Sequence, residues 1–297
     1  MEARQLLAAA RRVRLGGFSP ARETLAGGYR AAYRGLGVEY EESREYVPGD
    51  DVAAMDWKVT ARLGRPFIKR FREERARTLM LAVDVSRSMT AGPGRRPPLE
   101  TAALAAVILA VSAAASRDRV GLVLFSDRVE AFLPPGKGPG QAHGLAAVLA
   151  GTTPAGRGTD PAPALELIAA TLTHRSPVFV LSDFLGPAMA APLGRLAARH
   201  EVTAVVVSQE GETPLPPYGL VAVTDAETGR QAVFDCGDAG ARKRLAASRL
   251  REREARLAGL RELGADVLEL VGDADPAVAL QAFFRQRRRP GRRLTRR

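Results

Sequence analysis

Residues 79–88, LMLAVDVSRS, decide how the rest of the chain is read. Five apolar residues, Leu79 to Val83, run without a break into Asp84. A short continuous apolar run of this kind suits a strand buried on both faces, as in the middle of a parallel sheet. At its end Asp84, Ser86 and Ser88 recur at a spacing of two, one carboxylate and two hydroxyls. In an open α/β sheet, ligands bind in the crevice beyond the carboxyl ends of the strands. Oxygen ligands suit a hard cation such as Mg²⁺, which wants a near-octahedral shell and keeps several waters. The plainer reading is a polar strand-to-helix turn with Ser86 or Ser88 as its N-cap. Taken alone, the D-x-S-x-S spacing leaves the two even.

Working outward from this strand, apolar strand-like runs alternate with helical ones. The runs RVGLVLFS (119–126), VEAFLP (129–134), SPVFVLSD (176–183), VTAVVVS (202–208) and DVLELV (266–271) read as strands. Helices are expected over about 99–116, from 160 to 174, through MAAPLGRLAARH, over about 239–263, and from 276 to 287. LVAVTDAETGRQAVFD (220–235) reads as a hairpin turning at 227–229. Such alternation implies an α/β fold, a doubly wound and mostly parallel sheet covered on both faces.

Upstream, residues 1–36 read as a helical segment in which Leu6, Leu7, Ala10 and Val13 fall at near-helical spacing. Residues 37–78 change character and read as a small β-rich lobe. Its strand GVEYEESREYV ends at a Pro48-Gly49-Asp50 turn, and RPFIKRF alternates in the same way. Asp56, Trp57 and Lys58, in the stretch between, are expected to form a packed corner with a local ion pair.

Composition narrows the function classes. The 297 residues are 46% hydrophobic and 26% charged, as in an ordinary globular protein. One cysteine, Cys236, leaves no internal disulfide and no cysteine-based zinc cage. The three histidines, His143, His174 and His200, share no metal-ligand spacing, and none falls in an expected site loop. No G-x-x-x-x-G-K-[ST] phosphate loop occurs. The longest apolar run, Ala102 to Ala115, has 14 residues and contains Ser112; a membrane span needs roughly 20. The N-terminus does not read as a signal peptide, so a cytoplasmic protein is expected. Eight of the positive charges behind the net +11 sit in the last 13 residues, which read as a disordered basic tail. No nucleic-acid signature stands beside that tail, so nucleic acid is not the expected partner.

Two further motifs break the tie over Asp84. GRGTD (156–160) offers Thr159 in a glycine-flexed turn at a helix start, and LSDF (181–184) offers Asp183 at a strand end. D-x-S-x-S, then G-x-G-T-D, then a strand-terminal S-D, in that order, resembles the metal-ion-dependent adhesion site of the von Willebrand factor A fold. That likeness implies Ser86, Ser88 and Thr159 as direct ligands of Mg²⁺, or alternatively Mn²⁺. Asp84 and Asp183 would ligate directly or through water.

The preceding segment narrows the resemblance. Tyr46-Val47-Pro48-Gly49-Asp50, Asp56-Trp57-Lys58 and Ala61-Arg62, running on into LMLAVDVSRSM, look like the signature of the bacterial domain of unknown function 58 family. Members are often encoded beside MoxR-type AAA+ ATPases, and many carry N-terminal membrane helices; none is expected in this sequence. The resemblance implies a non-enzymatic, metal-dependent protein-interaction module, an adaptor or co-chaperone. Its partner would be such an ATPase or its client, bound through an acidic side chain. The alternative is a Mg²⁺-dependent hydrolase of phosphoester bonds in which Asp84 and Asp183 hold the ion.

Overall fold

The computed structural model describes residues 3–8, 21–33, 40–48, 50, 52, 55–71, 76–90, 96–156, 158–185, 189–209, 218–224, 231–272 and 274–287. Ala10 and Val13, the hairpin turn at 227–229 and the tail residues 288–297 lie outside them. The chain divides into two compact units, residues 33–76 and the remainder, 1–32 with 77–297.

In chain order, helix α1 covers residues 3–8 and α2 covers Ala21–Ala32. The smaller unit holds β1 (Tyr40–Glu45), α3 (Trp57–Leu63) and β2 (Phe67–Phe71). The larger unit resumes with β3 (Thr78–Asp84), the single turn α4 (Arg87–Thr90) and α5 (Pro98–Ala115). Strands β4 (Arg119–Phe125) and β5 (Val129–Lys137) follow, then α6 (Pro139–Gly151) and α7 (Ala162–Thr171). The chain continues through β6 (Pro177–Ser182), α8 (Ala190–Arg199) and β7 (Glu201–Ser208). The hairpin strands β8 (Leu220–Thr224) and β9 (Gln231–Asp235), α9 (Ala239–Glu262), β10 (Asp266–Val271) and α10 (Pro276–Arg287) complete it.

Six strands form the central sheet in the order β10-β7-β6-β3-β4-β5. All neighbours run parallel except β5, which pairs antiparallel with β4 at one edge. The strands in the middle are the ones with uninterrupted apolar runs, because helices cover both of their faces. On one face Met80, Ala82, Val178 and Val180 pack with Leu165 and Ile168 of α7, Leu193 of α8 and Leu257 of α9. On the other, α5 lies against β3 and β4 and is itself packed by α2, α6 and α10. Helix α5 is 18 residues long and apolar enough to cross a membrane by length and composition, yet most of it is buried in the protein. The rings of Tyr29 (α2), Phe284 (α10) and Phe179 (β6) meet edge to face, so α2 and the closing helix share one core with the sheet.

Chain connectivity places the crevice. From β3 the chain passes to β4 on one side, and β6 returns to the other side of β3. The order therefore reverses between β3 and β6, and in doubly wound sheets such a switch point opens a crevice at the carboxyl ends.

The smaller unit pairs β1 antiparallel with β2, Arg44 opposite Ile68, with α3 between them in sequence. Asp56 is the N-cap of α3: its carboxylate accepts from the Val59 amide at 3.2 Å and from the Ser43 hydroxyl at 2.8 Å. The expected packed corner holds for Asp56, which is buried, but not for its neighbours. Trp57 is 68% exposed, and Lys58 forms no ion pair among the described residues. The cap orients the helix so that Val59 and Thr60 turn inward, which leaves Trp57 and Lys58 outside. At the C-terminus, α10 runs on to Arg287, three residues into the stretch expected to be a disordered tail. Arg287 is held there by ion pairs to Glu201 (2.9 Å) and Asp266 (2.7 Å).

Candidate functional site

Asp84 ends β3 and is completely buried. The amide of Val85 continues the sheet by donating to the Phe125 carbonyl at 2.8 Å, which fixes how the chain leaves the strand. Asp84 Oδ1 accepts from the Ser86 amide at 2.9 Å, a local turn that Asp favours. Its Oδ2 accepts from the Ser182 hydroxyl at 2.6 Å. The Ser86 and Ser88 hydroxyls lie 3.1 Å apart. Ser86 is fully buried and Ser88 half-buried.

Strand β6 pairs in register with β3, Leu181 opposite Val83, so Ser182 and Asp183 emerge beside Asp84. The Phe184 amide donates to Ser182 Oγ at 3.0 Å, and the Leu185 amide to Asp183 Oδ1 at 3.0 Å. Phe184 adopts φ 53°, a left-handed conformation that is uncommon for a bulky residue. Burial pushes the Asp84 carboxyl up to about 6, against hydrogen bonds from Ser182 and Ser86 that pull it down; the nearby Asp183 carboxylate adds to the rise.

Thr159 arrives on the loop between α6 and α7, and this loop is tied to the end of β4, the strand next to β3. The Asp160 amide donates to the Ser126 carbonyl at 2.8 Å. Glu130 holds the other end: its carboxylate accepts from the amides of Ala155 (3.0 Å) and Gly156 (2.7 Å) and from the Ser126 hydroxyl (2.5 Å). Burial works against ionisation of Glu130, but these donors hold its carboxyl below the usual range. At Gly156 only glycine fits, because a Cβ there would lie 2.0 Å from Ser126 Oγ.

Asp84, Ser86, Ser88 and Asp183 thus gather at the carboxyl ends of β3 and β6. Thr159 is anchored one strand away, over β4. Sequence reasoning missed Ser182 and Glu130. Ser182 stands beside a residue 98 positions away only because β6 returns next to β3. Glu130 acts through backbone amides, which no side-chain motif reports.

The donor set can be tested against a hard cation. Every candidate atom is oxygen, and a carboxylate oxygen that accepts one hydrogen bond keeps a second acceptor site. Asp84 makes no ion pair among the described residues, so its buried charge is met only by neutral donors. An oxygen shell around an under-compensated carboxylate suits Mg²⁺. Among the described residues no group of three or more His, Cys, Asp or Glu gathers, so such a shell would have to draw on hydroxyls.

The sequence profile of the family described as "Protein of unknown function DUF58" matches residues 42–255. The chain belongs to this family. An uncharacterized protein of Mycobacterium tuberculosis is 32% identical to this DUF58 protein over 268 residues, 89% of this chain and 84% of that one. An uncharacterized protein of Mycobacterium bovis gives the same values. Among solved structures, the conserved hypothetical protein BatB from Bacteroides thetaiotaomicron superposes with a TM-score of 0.48 at 18% identity, covering 71% of this chain and 97% of that one. An aerotolerance-related membrane protein from Bacteroides fragilis gives 0.48 and 18% over 72% of this DUF58 chain and 98% of its own.

Proposed function

We propose that this DUF58 protein is a non-enzymatic, Mg²⁺-dependent interaction module with a von Willebrand factor A-like domain. Its metal-ion-dependent adhesion site would consist of Asp84, Ser86, Ser88, Thr159 and Asp183. The observation that carries the reading is the buried Asp84 carboxylate at the switch point, flanked by the Ser86–Ser88 hydroxyl pair and by Ser182–Asp183.

Each residue has a distinct task in this account. Asp84 supplies a fixed negative charge, held in place by the Ser86 amide and the Ser182 hydroxyl. Ser86 and Ser88 supply neutral oxygens, so the shell does not over-neutralise a divalent ion. Glu130 pins the loop that carries Thr159. When bound, Mg²⁺ supplies a Lewis-acidic centre with an exchangeable position that an incoming carboxylate can fill. The partner is therefore a protein with an exposed Asp or Glu, and the family resemblance points to a MoxR-type AAA+ ATPase or its client.

Measuring affinity for a co-purified MoxR-type ATPase with Mg²⁺ and with EDTA tests the reading. Binding should disappear in EDTA and in Asp84→Ala, and should depend on one acidic residue of the partner. Binding that persists in EDTA, or that survives alanine at every acid on the partner's contact surface, contradicts it.

A further inference from the structure

We infer that the outer face of α3 is a docking surface for an acidic, aromatic-bearing segment of a protein partner. Helix α3 buries none of its residues in the chain. At 100° per residue Trp57 and Ala61 form one ridge and Lys58 and Arg62 the next, side by side on the solvent face. All four are exposed. The helix is nonetheless built firmly. Asp56 caps its start, and Gly64, at φ 65°, closes its end by donating to the Thr60 carbonyl. A rigid helix that holds an unsheltered indole is what a recognition surface requires, because Trp is the residue most enriched at interface hot spots.

Charge identifies the occupant. Four basic side chains of this unit are described: Arg44, Lys58, Arg62 and Arg65. Arg44 is paired with Asp50 and Arg65 with Glu45. Lys58 and Arg62, the two beside Trp57, have no acidic partner among the described residues. An incoming carboxylate meets two cations that have no acidic partner among the described residues, and an aromatic or apolar side chain beside it covers the indole. A pair of cations one helical turn apart matches one or two carboxylates, whereas nucleic-acid binding uses several phosphate contacts. A short acidic protein segment fits; a nucleic acid does not.

The molecule carries its own probe, since Trp57 is the one tryptophan of the chain. The full-length protein is titrated with a synthetic peptide, Glu-Phe-Glu-Glu-Phe-Glu, and separately with a twenty-nucleotide single strand, while Trp57 emission is followed. The peptide should move emission to shorter wavelength and protect the indole from acrylamide. Its affinity, read by anisotropy of a labelled copy, should fall at least ten-fold in Trp57→Ala and in the double variant Lys58→Glu, Arg62→Glu. Rising salt should weaken it as well. Circular dichroism checks that both variants keep the fold, which is expected because the altered side chains are exposed. Binding should be unchanged by EDTA and by Asp84→Ala, which separates this surface from the metal-site reading. Emission that responds to the oligonucleotide and not the peptide, or to neither, overturns the proposal. So does peptide affinity that is unaltered in both variants.

Discussion

Asp84 carries a cost that its surroundings do not remove. Its carboxyl is pushed up to about 6 in the folded chain from an ordinary value of 3.8, with burial as the main cause. The folded state therefore binds more protons than the unfolded state between those values, and stability falls as pH rises from about 4 through 6. Above that window the penalty amounts to about 3 kcal/mol in the metal-free protein, at 1.36 kcal/mol per unit. Asp84→Asn keeps an oxygen for the Ser86 amide and removes the charge. Denaturant unfolding at pH 7 in EDTA should show the variant more stable than the parent by about 1–3 kcal/mol, and at pH 4 the difference should nearly vanish. A variant less stable at both pH values would mean that the carboxylate is structural. The spacing of Asp84, Ser86 and Ser88 could be read from the sequence because those residues lie on one turn. Asp183 was legible as a strand-terminal acid. Ser182, one residue earlier, was not, since its partner is set by strand order and register. The exposure of Trp57 was also invisible, because a lone Trp in a mixed segment reads as core until the N-cap fixes the helix's rotation.

At the scale of elements, the long strands and helices were the most legible, and the turns between them the least. The apolar runs of β3, β6 and β7 announce buried strands, and the alanine-rich run of α5 announces a buried helix. How α5 ends is a matter of backbone geometry. Arg117 sits at φ 62°, with its own amide bonded to Ala114 and that of Asp118 to Ala113. This is the left-handed C-terminal cap that glycine fills best. Because Arg117 is exposed, Arg117→Gly should raise stability by about 0.5–1 kcal/mol; thermal melts showing destabilisation would contradict the cap. The loop over β4 depends on Glu130 in the opposite sense. Glu130→Gln removes the charge that the Ala155 and Gly156 amides share and puts a donor where Oε2 faces the Ala155 amide. Hydrogen exchange at those two amides should speed up in the metal-free protein, and Mg²⁺ affinity should fall about ten-fold, as for other residues that support a ligand. Unchanged exchange would show that the loop is held by other contacts.

For the whole molecule, strand–helix alternation foretold a mostly parallel sheet covered on both faces, and six strands in that arrangement are present. The antiparallel edge strand β5 and the shared core of α2 and α10 were not foretold. Both follow from long-range packing, which periodicity along the chain does not encode. The arrangement that matters for function is the reversal of strand order at β3, since it puts two acids and two hydroxyls from distant segments at one crevice. The central claim is that this crevice is a Mg²⁺ site, and calorimetric titration of Mg²⁺ into chelator-stripped full-length protein tests it most directly. The account predicts one ion bound per chain in the parent, weaker binding as pH falls through about 6, and no binding in Asp84→Asn or Asp183→Ala, both still folded. A parent that binds no Mg²⁺, or variants that bind it as tightly as the parent, would contradict it.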